Sequence, residues 1–288
     1  MHTVAKNSLF SKVLHLLDRV AIVIRRGMKR EMIILKFGGS LITDKKKEIP
    51  TINQDNLNRI ASILSKHSHQ FIIVHGAGSF GHPIAKKFNL ANGWNKHPNQ
   101  KKAIEETREQ VLELNQILCN SLNKKEILTK TIIPSKTMKT NGPKNIENIP
   151  TEIFDEGLET GKVPVTFGDV TDDNLEGICI LSGDVIMEEL VKHYKPRMSI
   201  FVMDYPGVFD RNPTDKDSQI IPVVTLQTLK MLKEKNTHKN GATDVTGGLI
   251  GKLECAMEMA KHSETWITNL DHLDDFLSGK PRGSRVIS

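Results

Sequence analysis

Met32 Ile33 Ile34 Leu35 Lys36 Phe37 Gly38 Gly39 Ser40 decides how this chain folds. The run from Met32 to Leu35 is too short for a buried helix and suits an inner strand, and it ends in a lysine and two glycines. Lacking Cβ atoms, Gly38 and Gly39 let backbone N–H groups approach an anion, and Lys36 brings a positive charge to the same edge. A second strand, Phe71 Ile72 Ile73 Val74, opens into His75 Gly76 Ala77 Gly78 Ser79 Phe80 Gly81 His82. Two glycine-rich turns then leave one sheet at one end, which is where open α/β sheets bind ligands. The pattern predicts two phosphates, one per turn.

Working outward, Leu57, Ile60, Ala61 and Leu64 have helical spacing and join the two strands as a βαβ unit. A long helix is predicted over residues 99–123, then a short strand at Thr131 to Ile133 stopped by Pro134, and an exposed loop over 135–150. Thr151 is expected to cap a helix closed by Gly161. The strand Val163 to Phe167 ends at Gly168 Asp169, and a hairpin around Asp172 Asp173 Asn174 occupies 170–181. Ser182 caps a helix over 183–193, and the strand from Met198 to Met203 runs into Asp204 Tyr205 Pro206 Gly207 Val208, then a polar loop over 210–217. A helix near 225–234, a turn at Thr246 Gly247 Gly248 heading a helix through Met259, and strands at Trp266 Ile267 and Arg285 Val286 Ile287 complete the chain. Alternating strands and helices predict an α/β three-layer αβα sandwich with an open, mostly parallel central sheet. Residues 32–288 contain no linker that forces a cut, so one domain is expected after an extension over 1–31.

The net charge of +6 suggests an acidic partner until it is located along the chain. Residues 1–31 carry seven Lys and Arg against Asp18 and Glu31, leaving a body that is nearly neutral. The charge therefore gives no argument for nucleic acid. Cys119, Cys179 and Cys255 are odd in number and widely spaced, which indicates neither a disulfide framework nor a zinc site and fits a reducing cytoplasm. No stretch reaches the roughly 20 apolar residues that span a bilayer. The basic, acid-poor segment 1–31 reads as a targeting presequence or surface helix, or as a non-catalytic extension ahead of a working start near Met28 or Met32.

Each motif is weak alone. Gly38 Gly39 could be only a tight turn, the run from His75 to His82 only a close strand–helix packing, and Asp169 and Asp184 only caps. Gly247 Gly248 Leu249 Ile250 Gly251 Lys252 imitates a phosphate loop, but two residues separate Gly248 from Gly251 and Leu253 follows the lysine, so the P-loop pattern fails. What remains is a glycine turn at a helix N-terminus, which favours phosphate, with Lys252 about one and a half turns inside.

Taken together, Ile34 to Ser40 with Asp44 Lys45, His75 to Pro83, Gly168 Asp169, Ser182 Gly183 Asp184, Asp204 with Pro206 Gly207 Val208, and Asp244 to Gly248 followed by Lys252 resemble the amino acid kinase superfamily. Within it they resemble the isopentenyl phosphate kinases. The resemblance covers Met32 to Ile287, and His82 marks the branch whose acceptor is itself a phosphate or phosphonate. It implies ATP-dependent phosphorylation of isopentenyl phosphate to isopentenyl diphosphate, with Mg²⁺ held mainly by the nucleotide phosphates. It also suggests a homodimer formed through the helix after the second glycine turn.

By the same resemblance, Lys36 contacts the phosphoryl group in flight, while Lys45 and Lys252 contact the ATP phosphates. The N–H groups of Gly38, Gly39, Gly76, Ala77 and Gly78 reach phosphate oxygens, Gly81 and Gly168 border the acceptor, and His82 donates to the acceptor phosphate. Asp169 orients the lysines. Asp204, Tyr205, Pro206, Gly207 and Val208 border adenine and ribose, and Gly247 and Gly248 complete the ATP site. Val170, Ile180 and side chains between Phe88 and Trp94 line the isoprenoid tail. Two positions depart from the pattern: Ala77 stands where many relatives carry a third glycine, and Phe167 where a histidine often precedes Gly-Asp. The alternatives are a kinase of fosfomycin or another small phosphonate and, from another class, a non-catalytic nucleotide or oxyanion binder such as the molybdenum storage proteins.

Overall fold

The computed structural model describes residues 32–44, 49–237 and 247–288. Its strands, in chain order, are β1 (Met32–Phe37), β2 (Gln70–His75), β3 (Thr129–Thr131), β4 (Lys139–Thr140), β5 (Val163–Phe167), β6 (Asp169–Asp173), β7 (Gly177–Leu181), β8 (Met198–Met203), β9 (Val223–Val224), β10 (Glu264–Asn269) and β11 (Ser284–Val286). The helices are α1 (Gly39–Ile42), α2 (Gln54–Leu64), α3 (His82–Lys87), α4 (Pro98–Asn123), α5 (Pro134–Thr137), α6 (Thr151–Glu159), α7 (Gly183–Tyr194), α8 (Leu226–Thr237), α9 (Gly247–Met259) and α10 (Leu273–Leu277). Eight strands form one sheet in the order β3-β5-β2-β1-β8-β10-β11-β9, and β4-β6-β7 form a small second sheet. Within the large sheet only the β10–β11 pairing is antiparallel, as expected for a mostly parallel sheet.

β1 is buried along its whole length because helices cover both faces of the sheet. Met32 and Ile34 join Ile72, Val74 and Phe201 against Ile186 and Leu190 of α7 and Leu253 and Ala256 of α9. Ile33, Leu35 and Phe37 point the other way, toward Leu57 and Ile60 of α2, Leu118 of α4 and Phe276 of α10. Strand alternation thus puts Lys36 on the α7 and α9 face, where its charge must find a partner.

Local signals set several boundaries. Asn53 caps α2 by accepting from Asn56 N at 3.2 Å, and Ser182 caps α7 by accepting from Val185 N at 3.3 Å. Two expectations need correction. Thr151 does not cap α6; it is the first helical residue, Pro150 occupies the cap position without a side-chain bond, and the Thr151 carbonyl accepts from the Tyr194 hydroxyl at 3.2 Å. The stretch 135–150 is not wholly an exposed loop, because it contributes to α5 and supplies edge strand β4, paired in parallel with Asp172 and Asp173 of β6. Its Lys and Asn content suits an edge strand as well as a loop. The extension 1–31 lies outside the described residues.

Candidate active site

The turns after β1 and β2 leave the same sheet edge side by side, since the strands are parallel neighbours with Phe37 opposite His75. They touch backbone to backbone. A Cβ on Gly39 would lie 2.6 Å from Gly78 Cα, and one on Gly76 would lie 2.7 Å from Gly39 N, so glycine is required by the approach of the other loop. Gly78 also has φ +53, in the left-handed region. The Thr43 hydroxyl ties the loops together, donating to Gly39 O at 2.7 Å and accepting from Ser79 N at 3.0 Å. Ala77 fits because its φ is −71, which any residue with a Cβ adopts.

The N–H groups divide between scaffold and site. Gly38 N donates to Val202 O and Gly76 N to Phe37 O, both at 3.0 Å, so these two are spent on the sheet and do not serve phosphate as expected. Gly81 N likewise donates to Gly78 O, and Gly168 N to His75 O at 3.0 Å. Of the five donors expected to reach phosphate, Gly38 and Gly76 are thus bound to the sheet, while Gly39, Ala77 and Gly78 belong to the two abutting turns.

Two cationic side chains converge on Asp184 in the first turn of α7. Lys36 Nζ lies 3.0 Å from its Oδ1, and Lys252 Nζ lies 3.0 Å from Oδ1 and 3.1 Å from Oδ2. Gly183 lets the Lys36 stem pass, for a Cβ there would sit 3.1 Å from Lys36 Cε. Burial, opposed by the Asp184 charge and reinforced by that of Lys252, lowers the Lys36 ammonium to about 8. Burial works against ionisation of Asp184 too, but the charges of Lys36 and Lys252 outweigh it and bring the carboxyl down to about 2. Chemically, two ammoniums sharing one carboxylate can accept another anion, because phosphate oxygens offer them the same kind of charge that Asp184 offers.

Asp169 does not take the role expected of it. Its Oδ2 accepts from Ser135 N at 3.0 Å and its Oδ1 from Val170 N at 2.8 Å, and burial raises its carboxyl above the usual range. The carboxylate that orients both lysines is Asp184. Sequence reasoning missed it because an acid in the first turn after a serine cap is ordinary helix chemistry, and nothing local reveals that two distant lysines reach it. Nor does local sequence reveal the setting of His75. Burial lowers its imidazole to about 4, so it is neutral, with Nδ1 3.1 Å from Gly76 O and Nε2 3.3 Å from the Asn115 amide. Phe167, the departure noted above, stacks on it at 5.2 Å.

Lys45 lies outside the described residues. His82 is exposed and opens α3 just beyond the Gly78–Phe80 turn that faces Gly39. Beyond it, Val170, Leu90, Ala103, Ile104 and Ile178 form a small apolar cluster, against which Ile84, Phe88 and Ile180 pack. Val170 and Ile180 face each other across the β6–β7 hairpin, and the Arg108 guanidinium secures it, donating to Val170 O at 2.7 Å and Asp172 Oδ1 at 3.0 Å.

The remaining positions follow β8 and head α9. Asp204 and Tyr205 continue from β8, with Tyr205 packed edge-on against Phe209 at 6.0 Å. Gly207 and Val208 are pinned by Ser284 of β11, which accepts from Val208 N at 2.8 Å and donates to Ile221 O at 2.7 Å; a Cβ on Gly207 would meet Ser284 Oγ at 2.6 Å. Pro206 O approaches Gly283 so closely that a Cβ there would lie 3.0 Å from it. Gly247 and Gly248 open α9, and a Cβ on Gly248 would meet nothing within 4 Å. The parallel sheet brings these segments, the lysine triad and the paired glycine turns to one edge. Among the described residues, no group of three or more His, Cys, Asp or Glu side chains could hold a metal ion, and no helix is long and apolar enough to cross a membrane.

The sequence profile of the amino acid kinase family matches residues 31–269. The isopentenyl phosphate kinase of Methanothermobacter thermautotrophicus is 33% identical over 267 residues, covering 88% of this chain and 98% of that one. That of Methanocaldococcus jannaschii is 31% identical over 239 residues, covering 77% and 85%. A crystal structure of isopentenyl phosphate kinase superposes with a TM-score of 0.75 at 30% identity, over 88% of this chain and 99% of the other. From the paired glycine turns, the lysine triad and these likenesses it follows that the chain belongs to the amino acid kinase family, among its isopentenyl phosphate kinases.

Proposed function

We propose that this chain transfers the γ-phosphoryl group of ATP to isopentenyl phosphate, giving isopentenyl diphosphate and ADP, a step of isoprenoid biosynthesis. The observation that carries the reading is the Lys36–Asp184–Lys252 triad, at the edge where two glycine loops meet, in a chain 33% identical to an isopentenyl phosphate kinase. A phosphate monoester has a second pKa of about 6. At neutral pH the acceptor therefore brings its own anionic oxygen, which forms the new P–O bond as the bond from the γ-phosphorus to the β–γ bridging oxygen breaks. No general base is needed. The obstacle is repulsion between two polyanions, so catalysis reduces to positioning and charge neutralisation.

Lys36 holds the phosphoryl group in flight, and Lys252 holds the ATP phosphates as charge builds on the bridging oxygen. Asp184 keeps both ammoniums in place before substrate arrives. The N–H groups of Gly39, Ala77 and Gly78 cradle phosphate oxygens, and His82 donates to the acceptor phosphate with Gly81 and Gly168 beside it. Lys45 adds a third cation on the ATP side, and Asp204 to Val208, with Gly247 and Gly248, border the nucleotide. Mg²⁺, when bound through the ATP phosphates, supplies further neutralisation, as magnesium commonly does. Val170, Ile180 and Phe88 form the wall for the isoprenoid tail. Burial of about 0.8 kcal/mol per CH₂ makes this apolar wall favour a five-carbon chain over fosfomycin. A homodimer and a cytoplasmic location complete the reading; the buried free cysteines Cys119, Cys179 and Cys255 support a reducing compartment.

The test is an ADP-release assay with isopentenyl phosphate, dimethylallyl phosphate, fosfomycin, UMP and N-acetylglutamate side by side. Turnover of the first two alone is expected, and His82→Ala should remove most activity while leaving ATP affinity nearly intact. Robust turnover of fosfomycin with none of isopentenyl phosphate overturns the substrate.

A further inference from the structure

We infer that Phe201 is a positioning residue for Lys252, holding its ammonium by the face of the aromatic ring; the inference rests on the kinase reading above. Lys252 Nζ lies 5.0 Å from the centre of the Phe201 ring, within the range of a cation–π contact. The ring is only 1% exposed and belongs to the core between the sheet and α7 and α9. Its register makes the placement specific: Phe201 stands opposite Lys36 on one side and Ile267 on the other. Partners in a parallel pair share a face, so the ring is flanked by the stem of the first lysine and lies beneath the head of the second.

The two contacts of Lys252 differ in kind. Asp184 offers a charge that incoming phosphate must compete with. The Phe201 ring attracts the ammonium through its quadrupole, carries no net charge, and contacts the side that faces the core. It therefore fixes the depth of Nζ whichever anion lies above, and leaves the N–H donors aimed outward when Lys252 passes from Asp184 to the phosphates. A leucine would fill the core without attracting the cation, and an acid would compete with the substrate. Lys252 sits on α9, and the Phe201 ring on central strand β8 holds its head from a second element.

Site-specific replacement of Phe201 by mono-, di- and trifluorophenylalanine tests this, because fluorine drains the ring quadrupole while changing ring size little. Expected is a stepwise fall in kcat reaching about tenfold for the trifluoro ring, with the KM for isopentenyl phosphate unchanged and the melting temperature lowered by no more than a few degrees as the cation–π attraction weakens. A ring that merely fills space predicts a kcat that is level across the series, and that result overturns the inference. A second readout needs no turnover: the Cε protons of Lys252 should resonate upfield in the unmodified protein and return to ordinary positions in Phe201→Leu. Absence of isopentenyl phosphate turnover in the unmodified protein would sink the kinase reading alone, and absence of the upfield shift would sink the aromatic contact alone.

Discussion

Replacing Asp184 by asparagine keeps the size of the side chain and removes the charge that two ammoniums share. Pairing brings the Asp184 carboxyl from 3.8 to about 2, and each unit corresponds to about 1.4 kcal/mol. The charge therefore contributes about 2 kcal/mol to folding at pH 7, with its burial already counted. Breaking a buried pair can cost about 3–5 kcal/mol, but Lys36, already lowered to about 8, can shed its proton and limit the loss. For a chain of this size the melting temperature should fall by roughly 4–8 °C at neutral pH. The sign with pH is fixed. A depressed carboxyl stabilises above its unfolded value and ceases to do so as pH falls through the folded one, so the melting curves of Asp184→Asn and the parent should converge between about pH 4 and pH 2. Activity reports the other half of the pair: without Asp184 the Lys36 ammonium loses what opposes its burial, and the alkaline limb of kcat/KM should move to lower pH. Paired melts and pH–rate profiles measure both. An asparagine variant with an unchanged limb and an unchanged melting temperature would refute the shared-carboxylate account.

Three further outcomes are expected. In the parent protein kcat/KM should decline as pH rises through about 8, where free Lys36 loses its proton, while the decline in kcat lies higher because bound phosphates favour the charged form; coincident limbs would exclude Lys36 from phosphate contact. Gly39→Ala should cost upward of about 2 kcal/mol in denaturant unfolding and abolish most activity, since its Cβ would meet Gly78 backbone at 2.6 Å and nothing flexible can give way. His75 is neutral in the fold with an imidazole near 4, so it favours folding fully above pH 6.5 and progressively less as pH falls toward 4; His75→Gln should flatten that part of the stability profile, measured by urea unfolding at stepped pH.

Much of the scaffold could be read from local pattern. The long helix predicted over 99–123 is α4, Pro98–Asn123, because its apolar stripe repeats over many turns. The hairpin expected over 170–181 is β6 and β7, and the apolar run at Met198 to Met203 is β8. What failed depended on partners far along the chain. β4 pairs with β6, a strand that lies beyond α6 and β5 in the chain. The N–H groups of Gly38 and Gly76 are consumed by Val202 and Phe37 carbonyls, one of them far along the sequence. Likewise Asp169 and Asp184 look alike as sequence, each an acid after a strand and beside a glycine. Only the fold aims Asp184 at Lys36 and Lys252 and turns Asp169 toward the amides of Ser135 and Val170.

The abutment of Gly39 on Gly76 and Gly78 has a consequence for how such an enzyme can change. If donor and acceptor anions each rest on one of these turns, their separation is dictated by main-chain van der Waals radii, with no side chain between that could be lengthened or trimmed. Point substitution can then retune which acceptor fits only from the far wall, near Val170 and Ile180. The distance across which the phosphorus travels would stay constant while the clientele drifts.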